Sequence, residues 1–372
     1  MNILVLNVIL FTADNYVIPQ VKTIKDTMIY GMCMGFKSLG HDVTLAAADE
    51  YRPQEQEDYD FDVQFFPSRY TRVLLPAVLP YSPALRKWLK RNHERYDLVV
   101  TSEAFAFPTL FAARICPEKT IIWHEMNKHQ KKFHRLPSRL WHNVVIPLFM
   151  RKILAVAPRS VQARDFIRQY MPQATVDTIV EHGIDVDKFV CNEQKKRQVI
   201  SSSQLIRRKN VDSIIRHFAD LHRTKGYEDI RLLIAGRGEE EDNLKALTAQ
   251  LGLKDCVDFL GFLPQKVLNE HIRNSLCFLI NTRQDLNVIS IPESIASGTP
   301  ILTNSVPASI YYIRKHGLGI VQDNWGAKEI CAIIDDNPRY VRNCVDYRHC
   351  LTSRHSAQLL LDIFAEQSKA RR

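Results

Sequence analysis

Residues 285–300 read DLNVISIPESIASGTP and run directly into ILTN at 301–304. An acid, Asp285, is followed eight positions later by a second, Glu293, then by a small-residue helix and the break Ser297-Gly298-Thr299-Pro300. The apolar ILTN predicts a strand. Residues around 287–290 are expected to open the helix, and free backbone N–H groups at such a start can hold a phosphate. Glu293, one turn in, is placed to accept hydrogen bonds from ribose hydroxyls. Asp285, ahead of the helix, can bind hydroxyls of a sugar.

The helix-then-strand unit repeats on both sides. Strands are expected at Gln198 to Ser202, Arg231 to Ala235, Val257 to Leu260, Leu276 to Asn281, Pro300 to Asn304 and Leu318 to Gln322. Helices are expected at Asn210 to His222 and Glu239 to Leu251. An earlier set begins with the β-rich run Met1 to Leu10 and a helix at Ile24 to Leu39, whose apolar residues recur every three or four positions before Gly40. It continues with strands at His41 to Ala46, Asp97 to Thr101 and Lys119 to Trp123, then Arg151 to Ala155 and Thr175 to Val180, with Tyr51 to Asp62 as a loop. Two alternating sets in series predict α/β architecture with two parallel-sheet, Rossmann-like domains. The boundary is expected at residues 190/191, in the polar CNEQKKR of 191–197, giving domains 1–190 and 191–354, with a C-terminal helix near 355–372 able to pack back on the first. Ligands of open parallel sheets bind beyond the carboxyl ends of the strands, so the cleft across which the two domains face is the expected site.

Composition narrows the classes. The chain has 372 residues, 45% hydrophobic and 24% charged, which suits ordinary globular domains and excludes collagen, coiled coil and disorder. No apolar run approaches the length of a membrane span, and no secretory signal is evident, so a cytoplasmic location is expected, with peripheral attachment to a membrane as an option. The eight cysteines are scattered without a C-x-x-C pair, as in a reducing compartment. No glycine precedes Gly31, which excludes a G-x-G-x-x-G phosphate loop after the first strand. The net charge of +9 is local: residues 66–170 hold 19 Lys/Arg against 6 Asp/Glu, whereas residues 1–65 hold 4 against 10.

The 285–300 stretch resembles the Glu–seven residues–Glu motif of GT-B-fold retaining glycosyltransferases, family 4, the group 1 glycosyl transferases. Five further segments match in family order. EHGID at 181–185 is similar to the interdomain N-G-V-D motif, and SQLIRRKN at 203–210 to G-R-L-x-x-x-K-G. LIAGRG at 233–238 is similar to the strand-G-x-G element, LGLKDCVDFLG at 251–261 to the lead into the base pocket, and IASGTP at 295–300 to A-M-A-C-G-x-P. In the first half, LGHDV at 39–43 is similar to a common turn of the family.

The resemblance implies transfer of a sugar from a nucleotide-diphosphate sugar to a hydroxyl, such as one on a lipid-linked or cell-surface polysaccharide precursor of lipopolysaccharide or capsule. It implies retention at the anomeric carbon, no essential metal, and no cofactor beyond the sugar nucleotide as co-substrate. Lys209 matches the lysine contacting the donor diphosphate, Asp285 the acid reading sugar hydroxyls, and His124 a histidine near the reacting sugar; these form the catalytic set. Glu293 matches the ribose-binding carboxylate, and Val288, Ile289 and Ser290 the diphosphate cradle. Gln204 stands where the family has arginine, with Arg207 or Arg208 able to replace it, and Gly236 lies in the strand-G-x-G element. An epimerase, a hydrolase or a non-catalytic sugar-nucleotide-binding homologue would share these features.

Three other features of the sequence carry alternative readings. Asp58 to Asp62 contains D-x-D twice, but its acidic, loop-like setting favours a solvated turn over a metal site. His124 and His129 lack a third ligand for zinc. Two basic stretches with aromatics, 82–95 and 127–142, suit an anionic membrane surface as well as a solvated helix face, and no nucleic-acid motif accompanies them.

Overall fold

The protein is described by a computed structural model for residues 1–11, 17–18, 21–130, 135–284 and 288–371. It divides into two units, one of Met1–Ile184 with Thr352–Arg372, the other of Asp185–Leu351. The division therefore falls after Ile184 rather than after Val190. The polar 191–197 stretch lies inside the second unit, where Lys195 donates to the Arg273 carbonyl at 2.7 Å and to Thr299 Oγ1 at 3.1 Å.

Among the described residues the first unit holds a six-stranded sheet of β1 (Asn2–Leu6), β2 (Asp42–Ala48), β3 (Asp62–Phe66), β4 (Leu98–Ser102), β5 (Thr120–His124) and β6 (Ala155–Pro158). Its order is β3-β2-β1-β4-β5-β6, and every pairing is parallel. The second unit holds β7 (Gln198–Ser202), β8 (Arg231–Ala235), β9 (Val257–Gly261), β10 (Cys277–Ile280), β11 (Ile301–Thr303) and β12 (Gly319–Val321). Its order, β12-β11-β10-β7-β8-β9, is the same doubly wound arrangement, again all parallel. Helices cover both faces, so strands such as ILVL at 3–6 are buried throughout and carry no polar alternation.

Three elements differ from the sequence expectations for physical reasons. The strand Asp62–Phe66, which begins on the last residue of the expected loop, is not among the expected strands; it lies at the sheet edge, half-buried, and so lacks the continuous apolar run of its neighbours. Thr175 to Val180 is not a strand of the sheet, which ends at β6; only Thr175 forms an isolated bridge, to Val156. The helix Met28–Ser38 is shorter than the periodicity suggests, because Thr27 Oγ1 caps it by accepting the Tyr30 N–H at 3.1 Å. Gly40 ends it at φ +83°.

The C-terminal helix Ser353–Ala370 packs on Met28–Ser38 within the first unit. Close approach there depends on Gly35, where an added Cβ would stand 2.3 Å from the Ser353 carbonyl oxygen. Among the described residues no helix is long and apolar enough to cross a membrane.

Candidate functional site

In the second unit the strand order reverses between β7 and β10, and loops leaving such neighbours diverge to open a crevice at their carboxyl ends. A recess lies there, lined by Ser201, Ser202, Ser203, Lys209, Asn281, Thr282 and Val288 among others. Lys209 closes the 3-10 turn Arg207–Lys209, and Asn210 follows in the left-handed region at φ +55°. That turn is stitched to the chain leaving β10. The Arg283 N–H donates to the Arg208 carbonyl at 3.0 Å, and the Arg283 guanidinium donates to the Arg207 carbonyl at 3.3 Å and to Asn210 Oδ1 at 2.6 Å. Arg283 thus fixes the backbone that carries Lys209, a tie no linear motif announces.

Gly236 has φ +131°, and a Cβ there would stand 1.8 Å from the Ser203 carbonyl oxygen. The loops after β7 and β8 can lie flush only without that atom, and they are joined by Ser203 N–H to Ala235 O at 3.1 Å and Leu205 N–H to Arg237 O at 2.9 Å. Glu293 occupies the first turn of the short helix Ser290–Ala296. Burial lifts its carboxyl above the usual carboxylate range, partly offset by a hydrogen bond from Gln265.

The other expected residues separate. Val288 lines the recess, Ile289 is exposed, and Ser290 starts the helix. Gln204 is exposed. Arg207 faces a different pocket, with Val211, Arg216, Glu240 and Arg283. Asp285 lies outside the described residues.

In the first unit the register Ser102↔Trp123 and His124↔Pro158 sets Glu103, His124 and Arg159 in a row at the carboxyl ends of β4, β5 and β6. His124 has no exposed surface. Its Nδ1 lies 3.0 Å from Glu103 Oε2, and its Nε2 is buried without a partner among the described residues. A ring so enclosed touches a substrate only after its surroundings open. Glu103 adopts φ +67°, and its carboxylate accepts the Glu125 N–H at 2.8 Å and the Met126 N–H at 3.2 Å. Burial alone would raise the Glu103 carboxyl; the His124 ring and the Arg159 guanidinium outweigh it and hold the group below its ordinary value.

Arg159 is nearly buried. Its guanidinium lies 3.7 Å above the Trp123 ring and donates to Glu125 Oε2 at 2.8 Å, to Ser102 Oγ at 3.1 Å and to His182 Nε2 at 3.2 Å. His182 therefore accepts from Arg159, and burial with that neighbouring cation holds it below the usual histidine range. Glu125 is held far down despite burial, the Arg159 guanidinium that donates to it being the cation beside it. Sequence reading missed Glu103, Glu125 and Arg159, since only the strand register gathers them.

Comparisons with known proteins agree with this architecture. The family model described as Glycosyl transferases group 1 matches residues 184–336, and Glycosyltransferase Family 4 matches residues 26–188. Alpha-monoglucosyldiacylglycerol synthase of Streptococcus pneumoniae is 23% identical over 175 residues, 43% of this chain and 39% of that protein. D-rhamnosyltransferase WbpZ of Pseudomonas aeruginosa is 26% identical over 193 residues, 50% of this chain and 48% of that protein. The matches thus span less than half the length of these relatives. Among solved structures, the apo lipopolysaccharide outer core galactosyltransferase WaaB superimposes with a TM-score of 0.67 at 13% identity, covering 99% of this chain and 100% of that one. Anabaena Alr3699/HepE in complex with UDP gives a TM-score of 0.63 at 13% identity over 98% and 100% of the two chains. With the two profiles meeting near residue 184 and a doubly wound sheet in each half, the chain belongs to the group 1 glycosyltransferases of GT-B fold.

Proposed function

We propose that this protein moves a sugar from a nucleotide-diphosphate sugar to a hydroxyl of a glycan or lipid-linked acceptor, with retention at the anomeric carbon and without an essential metal ion. The observation carrying the proposal is that Lys209 and Val288 line one recess at the strand-order reversal of the second unit. A diphosphate seated there meets the Lys209 ammonium, the Ser202 and Ser203 loop and backbone near residues 288–290. As the bond from the anomeric carbon to the diphosphate oxygen breaks, negative charge grows on that oxygen. A fixed cation stabilises this charge more in the transition state than in the ground state. The departing diphosphate oxygen, on the same face as the incoming hydroxyl, takes that hydroxyl's proton, and front-face attack retains the configuration.

Glu293 accepts hydrogen bonds from the ribose hydroxyls, and Asp285 from hydroxyls of the sugar. Ribose donors would relieve Glu293 of its uncompensated burial, which gives that raised carboxyl a use. Two observations support a glycolipid or surface-polysaccharide acceptor: relatives are named for diacylglycerol glucosylation and for O-antigen biosynthesis. UDP in the Anabaena structure supports a nucleoside diphosphate as the leaving group.

A thermal-shift screen of the purified chain against nucleoside diphosphates and their sugars tests the reading. A true donor at 100 times its Kd stabilises the fold by about 2.7 kcal/mol. Transfer that persists in a chelator, with the anomeric configuration of donor and product the same by NMR, supports the full proposal. A stabilising donor that is only hydrolysed or epimerised would replace it.

A further inference from the structure

Residues 136–149 form a helical segment, Leu136–Leu140, a π turn at Trp141–Val145 and Ile146–Phe149, that is apolar on two sides. Its inner side buries Ser138, Trp141, His142, Ile146 and Met150. Its outer side carries Leu136, Leu140, Val144 and Leu148 at four-residue spacing. These are 67%, 59%, 41% and 67% exposed, and Phe149 beside them is 40% exposed. A solvated helix places polar residues outward, so a leucine row there marks a surface meant to be covered.

The charge around the row indicates the cover. Between Glu125 and Asp165 the sequence holds nine Lys/Arg and no acid. Arg135, Arg139, Arg151 and Lys152 are all exposed at the ends and flank of the row. A second copy of this chain docked face to face would oppose these cations to one another, which disfavours self-association. An anionic lipid surface satisfies both features, taking leucine tips into the acyl boundary and the cations among its headgroups.

We propose that the outer face of 136–149, bordered by Arg135, Arg139, Arg151 and Lys152, docks this unit on an anionic lipid surface. The other basic stretch is different in kind. On the helix Pro83–Asn92, Leu85 and Leu89 are buried in the core, and Arg86, Lys87, Lys90 and Arg91 face solvent without an apolar row. Trp141, an aromatic of the 127–142 stretch, is likewise buried and donates to the Ala104 carbonyl at 2.9 Å. The docking face is thus narrower than the two stretches read from sequence and extends further toward the C-terminus. This inference is independent of sugar transfer, since lipid binding needs no turnover.

The test is sedimentation with vesicles of phosphatidylglycerol and phosphatidylcholine, against vesicles of phosphatidylcholine alone. Wild type should bind the anionic vesicles and release as salt rises. Leu140→Ser with Leu148→Ser should weaken that binding by about tenfold or more through lost apolar burial. Arg86→Glu with Lys90→Glu should weaken it much less. Because both leucines are exposed, the serine pair should melt with wild type. A large drop in melting temperature would show the row to be packed and overturn the proposal. So would equal binding by the serine pair, absence of binding to anionic vesicles, or a dimer in size-exclusion chromatography that the serine pair dissolves.

Discussion

Glu103 Oε2 and His124 Nδ1 lie 3.0 Å apart at the ends of neighbouring strands, and the same carboxylate accepts two backbone N–H groups of the chain leaving β5. One side chain thus orients the histidine and holds its loop. The strained left-handed backbone at Glu103 costs roughly 1 kcal/mol, and these contacts offset it.

Replacing Glu103 by glutamine should therefore destabilise the first unit by about 1–3 kcal/mol at neutral pH, because an amide cannot accept from three donors as a carboxylate does. The effect should depend on pH in one direction. The folded-state pKa is depressed, so the stabilisation is fully present above the ordinary glutamate value near 4.3 and is lost as pH falls through the folded value. Urea unfolding at neutral and acid pH should show the gap between wild type and Glu103→Gln shrinking on acidification.

Glu293 carries the opposite perturbation. Its carboxyl is raised, and hydroxyl donors of a bound ribose favour the ionised form. Binding of a nucleoside diphosphate should therefore release protons and weaken as pH falls through the raised value. Calorimetric titrations across mildly acid pH should show this loss in wild type. Glu293→Gln should bind more weakly at neutral pH and show a flatter profile.

Gly236→Ala should destabilise the second unit by about 2 kcal/mol or more, since both the backbone angle and the Ser203 carbonyl oppose a methyl group. Thermal melting reads this directly. If the alanine variant melts with wild type, the loops after β7 and β8 do not meet as described.

Much of this was legible in the sequence for reasons the fold makes plain. Strands buried on both faces, such as RLLIA at 231–235, announce themselves as apolar runs bounded by polar loops. Edge strand β3, half-exposed, does not. TVDTIV at 175–180 has strand composition but lies beyond the last strand, so composition misleads there. The surroundings of Lys209 were readable because family motifs are local along the chain. The ties that hold it, from Arg283 to Arg207 and Asn210, cross between two strands and leave no local trace. The same holds for Glu103 beside His124 and for Arg159 over Trp123, pairs that only the register of β4, β5 and β6 creates. Composition marks 127–142 as basic with aromatics, but which of its residues face inward depends on the unit it packs against.

The central claim is that the Lys209 ammonium stabilises the charge growing on a departing diphosphate. Single-turnover kinetics of Lys209→Ala with the donor found by the thermal screen test it most directly. The account predicts a rate of transfer lower by about 10²–10³, as for loss of one preorganised charge-stabilising group. Transfer at the wild-type rate, with donor bound at saturation, would contradict it.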